Sequence, residues 1–128
     1  MVDPKPRSEH IEQRELVQWV RQMTPYFIFS IPNGEKRNSR TGLAKVVEGL
    51  VAGMPDLQIV ELGLFIEMKA KGGTVEPKQK KIHERLRQAG AIVAVCYSTA
   101  DAIDLVTSVM RTRGMVPTRQ PIRKVTRG

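Results

Sequence analysis

Two short runs with the alternation of β-strands, Leu57-Gln58-Ile59-Val60 and Leu64-Phe65-Ile66-Glu67-Met68-Lys69, flank Glu61-Leu62-Gly63, and this hairpin constrains the chain more than any other feature. The glycine supplies the backbone freedom that a tight connection between antiparallel strands needs. Strand side chains alternate faces, so Leu64, Ile66 and Met68 are predicted to face a core together, and Phe65, Glu67 and Lys69 to share the opposite face. Asp56 stands immediately before the first run and eleven positions ahead of Glu67. Asp56, Glu67 and Lys69 should therefore meet at the open end of the hairpin. Two carboxylates offer oxygen ligands to a hard divalent cation, and an ammonium beside them suits phosphodiester chemistry. Taken alone, the same pattern also describes a solvated Glu/Lys pair on a strand face, so the flanking residues have to decide.

Ser8 is placed to cap a first helix from about Glu9 to Met23, with Leu16, Val20 and Met23 at helical spacing. Glu12 lies one turn before Leu16 on that stripe, and Glu15 is rotated away from it. A carboxylate on an apolar face needs a partner. Thr24-Pro25 ends the helix, and Tyr26 to Ile31 reads as a strand. A basic, turn-rich loop from Pro32 to Arg40 follows, then a second helix from Thr41 to Val51 with Leu43, Val46, Val47 and Leu50 as its stripe. Ala52-Gly53 closes it. After the hairpin, Ala70 to Thr74 form a loop, and Pro77 opens a third helix that Gly90 stops. There Gln79, Ile82 and Leu86 share a face, while Lys80, His83 and Arg87 point elsewhere. A buried strand from Ala91 to Tyr97 and a last helix from Thr99 to Met110 complete the order α-β-α-β-β-α-β-α. His10 and His83 lack partners at ligand spacing and read as surface histidines.

A chain of 128 residues has room for one core. No run of about twenty apolar residues is available to cross a bilayer, and the N-terminus lacks the apolar stretch of a signal peptide. A cytoplasmic protein, in a host cell if viral, is the expectation. The single cysteine, Cys96, lies in the buried strand and reads as a small core hydrophobe. The net charge of +8 points to a polyanionic partner, but six of the 21 basic residues fall between Arg111 and the end, where there is no acid. The rest of the chain is therefore close to balance. Residues 1–110 are expected to form the folded domain, with 111–128 as a basic tail that either solubilises the chain or contacts nucleic acid phosphates.

A helix bearing an acid, then Pro32-Asn33-Gly34 with Arg37, then Gly53-Met54-Pro55-Asp56, then Ile66-Glu67-Met68-Lys69, then Pro77-Lys78-Gln79: in this order the motifs resemble the VRR-NUC family. That family is a branch of the PD-(D/E)XK nucleases, found in small phage proteins and as a domain of repair nucleases. The similarity runs from about Glu9 to Leu105, and the Val-Arg-Arg signature of some members does not occur literally. The resemblance implies an α/β fold with a restriction-endonuclease-like core, a mixed β-sheet flanked by helices. It implies metal ligation by Asp56, Glu67, the Met68 carbonyl and Glu12, with Glu15 as the fallback for Glu12. Lys69 would be the catalytic lysine and Gln79 a supporting active-site residue. Asn33, Gly34, Arg37 and Arg40 on the basic loop, together with Lys71, are candidates to contact nucleic acid.

The function expected from this resemblance is Mg²⁺- or Mn²⁺-dependent hydrolysis of DNA phosphodiesters. A preference for branched or junction DNA and action as a homodimer are expected by the same likeness, C₂ pairs being the commonest oligomers. A binding module that keeps the fold without cutting is one rival, although acids facing phosphates serve no pure binding surface. An RNA endonuclease is another, weakened by the lack of an aromatic platform for unpaired bases.

Overall fold

The computed structural model describes residues 8–32 and 47–113. Its elements run α1 (Glu9–Met23), β1 (Ile28–Ser30), β2 (Leu57–Ile59), a single 3₁₀ turn (Val60–Leu62), β3 (Leu64–Met68), α2 (Pro77–Gln88), β4 (Ile92–Cys96) and α3 (Thr99–Thr112). The sheet order is β1-β2-β3-β4, with β1–β2 and β2–β3 antiparallel and β3–β4 parallel. The mixed sheet expected from the sequence is thus present.

The hairpin register follows from the apolar alternation. Leu57 pairs with Ile66 and Ile59 with Leu64, and all four are fully buried. They meet Leu16 and Val20 of α1 and Ala102, Val106, Val109 and Met110 of α3 in one core. A one-residue slip would turn this whole set outward, which is why the pairing is unambiguous. Gly63, with φ 59°, ends the 3₁₀ turn and starts β3. The opposite face of the sheet, where Glu67 lies, is covered by α2: His83 of that helix sits against Glu67. The parallel β3–β4 pair, with α2 as its connection, accounts for the burial of β3 on both faces.

Side chains cap the start of each helix, at α1 by the serine expected from the sequence. The Ser8 hydroxyl accepts from the Ile11 amide of α1, and that of Ser98 from the Asp101 amide of α3. On α2 the Gln79 side-chain oxygen accepts from the Glu76 amide at 2.9 Å, so part of this residue serves the helix start. Thr24 closes α1, its hydroxyl donating to the Val20 carbonyl.

Three boundaries differ from expectation. Of the helix expected from Thr41 to Val51, only Val47 onward is described; Val47 is helical and the chain turns at Glu48-Gly49. Gly49, at φ 108°, and not Ala52-Gly53 therefore ends the helical path, and Val47 is 80% exposed instead of part of an apolar stripe. Helix α3 continues two residues beyond Met110, to Thr112. Strand β1 is confined to Ile28–Ser30 within the longer expected run. The basic tail beyond Arg113 lies outside the described residues.

Gly53 has a different task. It is buried at φ 90°, and a Cβ there would lie 2.9 Å from the Lys78 carbonyl oxygen. The segment that delivers Asp56 is thereby packed against the first turn of α2, an approach open only to glycine. Gly49 has a similarly positive φ, but a Cβ there would meet nothing within 4 Å. Gly49→Ala should lose about 1–2 kcal/mol for backbone conformation alone. Gly53→Ala should lose measurably more in urea unfolding; equal losses would mean that the approach to Lys78 does not matter.

Candidate active site

Asp56 is fixed at both its backbone and its side chain. Its carbonyl accepts from the Ile31 amide, and its Oδ2 accepts from the Met68 amide, each at 2.8 Å. Strand β2 begins only at Leu57, opposite Ile66, so Met68 lies past the last ladder pair. The Asp56 carboxylate takes the place of the missing strand partner. This draws it to the end of β3, beside Glu67.

Glu67 is only 3% exposed. Burial pushes its carboxyl up to about 8, assisted by the adjacent Asp56 charge and a hydrogen bond between the two side chains. Lys69 pulls in the opposite direction, and the charge of Glu9 adds a smaller upward push. A hydrogen bond between two carboxyls needs a proton on one of them. The pair is therefore an acid dyad short of one positive charge. The sequence-predicted trio of Asp56, Glu67 and Lys69 is brought together.

His83 was expected on the surface and is instead buried, at 2% exposure. Its Nε2 lies 3.6 Å from Glu67 Oε1, and neither atom has a hydrogen-bond partner. Burial, then Arg87 and Lys69, lower the His83 pKa and favour the neutral imidazole, against an upward pull from Asp56. Gln79, also buried, precedes it by four positions on the same helix. The face of α2 turned to the sheet thus carries both Gln79 and His83, with Ile82 and Leu86 only half-buried at its side. The signal available in the sequence was the i, i+4 relation to Gln79.

Glu12 is placed differently from expectation. Its carboxylate accepts from the Thr99 amide at 2.9 Å and from the Thr99 hydroxyl, at the first turn of α3. It thereby complements the positive end of that helix. Oε1 of Glu15, the fallback, lies 3.3 Å from the same Thr99 hydroxyl, whose proton goes to the nearer Glu12. The α1 acid whose charge reaches Glu67 is Glu9, one turn earlier, and its Oε1 accepts from the Ala70 amide at 3.0 Å. The dyad sits at the end of β3, level with the start of α1, and this explains the shift by one turn. Among the described residues no group of three or more His, Cys, Asp or Glu side chains is gathered as a metal cage. Asp56 and Glu67 are the two carboxylates that meet at the end of β3. Lys71 is exposed just beyond β3, whereas Asn33, Gly34, Arg37 and Arg40 lie outside the described residues.

A four-stranded mixed sheet lies between helices, with an acid dyad and a lysine at the end of its central hairpin. The family model for the VRR-NUC domain matches residues 6–100, and the chain belongs to that family, which makes this a nuclease-type α/β fold. A solved structure described as a VRR_NUC domain protein has the same fold, with a TM-score of 0.71 at 22% identity, covering 84% of this chain and 91% of its own. No curated protein matches. No helix among the described residues is long and apolar enough to cross a membrane.

The raised Glu67 carboxyl has a consequence for stability. Its folded value of about 8 exceeds its ordinary 4.5, so the folded state holds a proton that the unfolded state has released between those values. Its contribution is fully present below about pH 4.5 and is lost as pH rises through 8. In chelator, the wild type should therefore lose stability relative to Glu67→Gln between pH 5 and about 9. Urea midpoints that stay parallel over that range would contradict a shared proton.

Proposed function

We propose that this protein is a divalent-metal-dependent DNA phosphodiesterase whose centre is the Asp56–Glu67 dyad. The observation that carries the reading is the buried Glu67 carboxyl held against Asp56, an arrangement unfavourable for two anions and suited to a cation between them. The donor set is all oxygen, the preference of Mg²⁺ and Mn²⁺. Asp56, Glu67 and the Met68 carbonyl would hold the ion, with Glu9 adding negative charge nearby. When bound, such an ion supplies Lewis acidity toward the phosphate and lowers the pKa of water.

The chain's own residues supply the rest. Lys69 directly follows β3 and acts electrostatically on both Glu67 and His83. At that position its ammonium orients the attacking water or offsets charge building on phosphorus. Asp56, tied to the Met68 amide, keeps the ligand loop in place. Glu12, tied to Thr99, joins α1 to α3 and supports the frame that carries Glu9. Branched DNA is the proposed substrate and a homodimer the proposed working form, both by likeness to small standalone members of the family.

Asp56→Asn and Glu67→Gln should each reduce Mg²⁺-dependent cleavage by at least a thousandfold while DNA binding persists. Lys69→Ala should lower turnover more than metal affinity, since its role lies in the transition state. Labelled four-way, flap, nicked and linear duplex DNA provide the assay, with four-way DNA cut fastest. Glu9→Gln should weaken metal binding, whereas Glu12→Gln should lower the melting temperature and leave metal affinity nearly unchanged. Full activity in both dyad variants would remove the proposed centre.

A further inference from the structure

Glu67 Oε1 and His83 Nε2 are the two buried side-chain polar atoms without a partner among the described residues, and they face each other at 3.6 Å. A buried unsatisfied polar atom is costly, and one such atom beside another is a gap the protein can close. The separation is slightly beyond hydrogen-bond length, within reach of a small side-chain adjustment.

The need for closure is greatest when Glu67 is ionised. A carboxylate only accepts hydrogen bonds, and so does ionised Asp56, whose Oδ2 is already engaged by the Met68 amide. The bond between the two acids then disappears, and Glu67 needs a donor from elsewhere. Arg87 is committed, its guanidinium donating to the Val93 carbonyl at 3.0 Å. Lys69 is only half-buried and faces the reaction side in the proposed mechanism. His83 Nε2 is the buried group at hand.

We infer that His83 is a positioning residue for the nuclease centre: its Nε2–H donates to Glu67 Oε1 and fixes the orientation of the ionised carboxylate when a divalent cation is bound. The inference rests on the metal-site reading above. It also explains why α2 turns a histidine, and not another aliphatic residue, toward the sheet. A carboxylate ligand held by a neighbouring donor loses less freedom on binding the ion, so its affinity rises.

The test uses the full chain labelled with ¹⁵N-histidine. Two histidines occur, His10 and His83, and His10→Gln assigns the second. In Mg²⁺, His83 should be the Nε2–H tautomer, with its proton far downfield, and this proton should move upfield in Glu67→Gln. A bare Nε2 in Mg²⁺, or a proton indifferent to Glu67→Gln, overturns the inference without any need for a His83 variant to fold. His83→Leu, which keeps apolar volume, should weaken Mn²⁺ affinity by about tenfold in calorimetry, the scale of one hydrogen bond to a charge. His83→Gln, which restores a neutral donor, should recover most of that loss. Wild-type Mn²⁺ affinity in a folded His83→Leu protein overturns the role. Asp56→Asn is the control that separates the two readings. If it binds Mn²⁺ normally, the metal site itself is wrong and the inference falls with it; if it loses Mn²⁺ and His83→Leu does not, only the role of His83 falls.

Discussion

A carboxylate buried on the face of a β-sheet is an unfavourable object, and much of this structure is arranged around one. Glu67 occupies a strand position paired with Val95 of β4, beneath a helix, with Asp56 drawn against it. Removing the charge from water raises the cost of ionisation, and a second acid nearby raises it further. In a protein selected for stability alone, an apolar residue would serve better at this position. Its presence marks a place where stability is given up, as the proposed centre requires.

The supporting geometry comes from backbone as much as from side chains. Gly53 lets the loop before Asp56 pack on the first turn of α2, and the Met68 amide holds the Asp56 carboxylate beyond the last rung of the hairpin. The first turn of α1 brings Glu9 to the Ala70 amide, and Glu12 ties the same helix to the start of α3. Acids on consecutive turns of one helix thus serve different neighbours, one beside the dyad and one in the frame. The site is a junction of four segments separated widely in sequence, so its precision depends on the whole fold.

The hairpin was legible because period-two alternation and register are the same information. Leu57, Ile59, Leu64 and Ile66 had to face one way, which put Glu67 on the other face. Cys96 was legible for a similar reason: it is buried, and burial pushes its thiol up to about 11, as befits an unreactive core residue. Helix phase was harder. The stripe through Leu16 turned Glu12 toward the core side but did not show the neighbour it meets, because that depends on where α3 starts. On α2 the apolar residues Ile82 and Leu86 pointed to a face slightly rotated from the one that packs, and His83 was assigned to solvent. Only the tertiary position of β3 shows that Gln79 and His83 are the inward pair. Val47 misled for the opposite reason, since a valine at helical spacing carries no guarantee of burial.

The central claim is that a divalent cation resolves the repulsion between Asp56 and Glu67. Crystals of the full chain soaked in Mn²⁺ test it directly, by anomalous scattering at the manganese edge. A strong peak touching both carboxylates at about 2.2 Å is expected, with Asp56 still bonded to the Met68 amide. A peak elsewhere, or none at a Mn²⁺ concentration that supports cleavage, would contradict that claim.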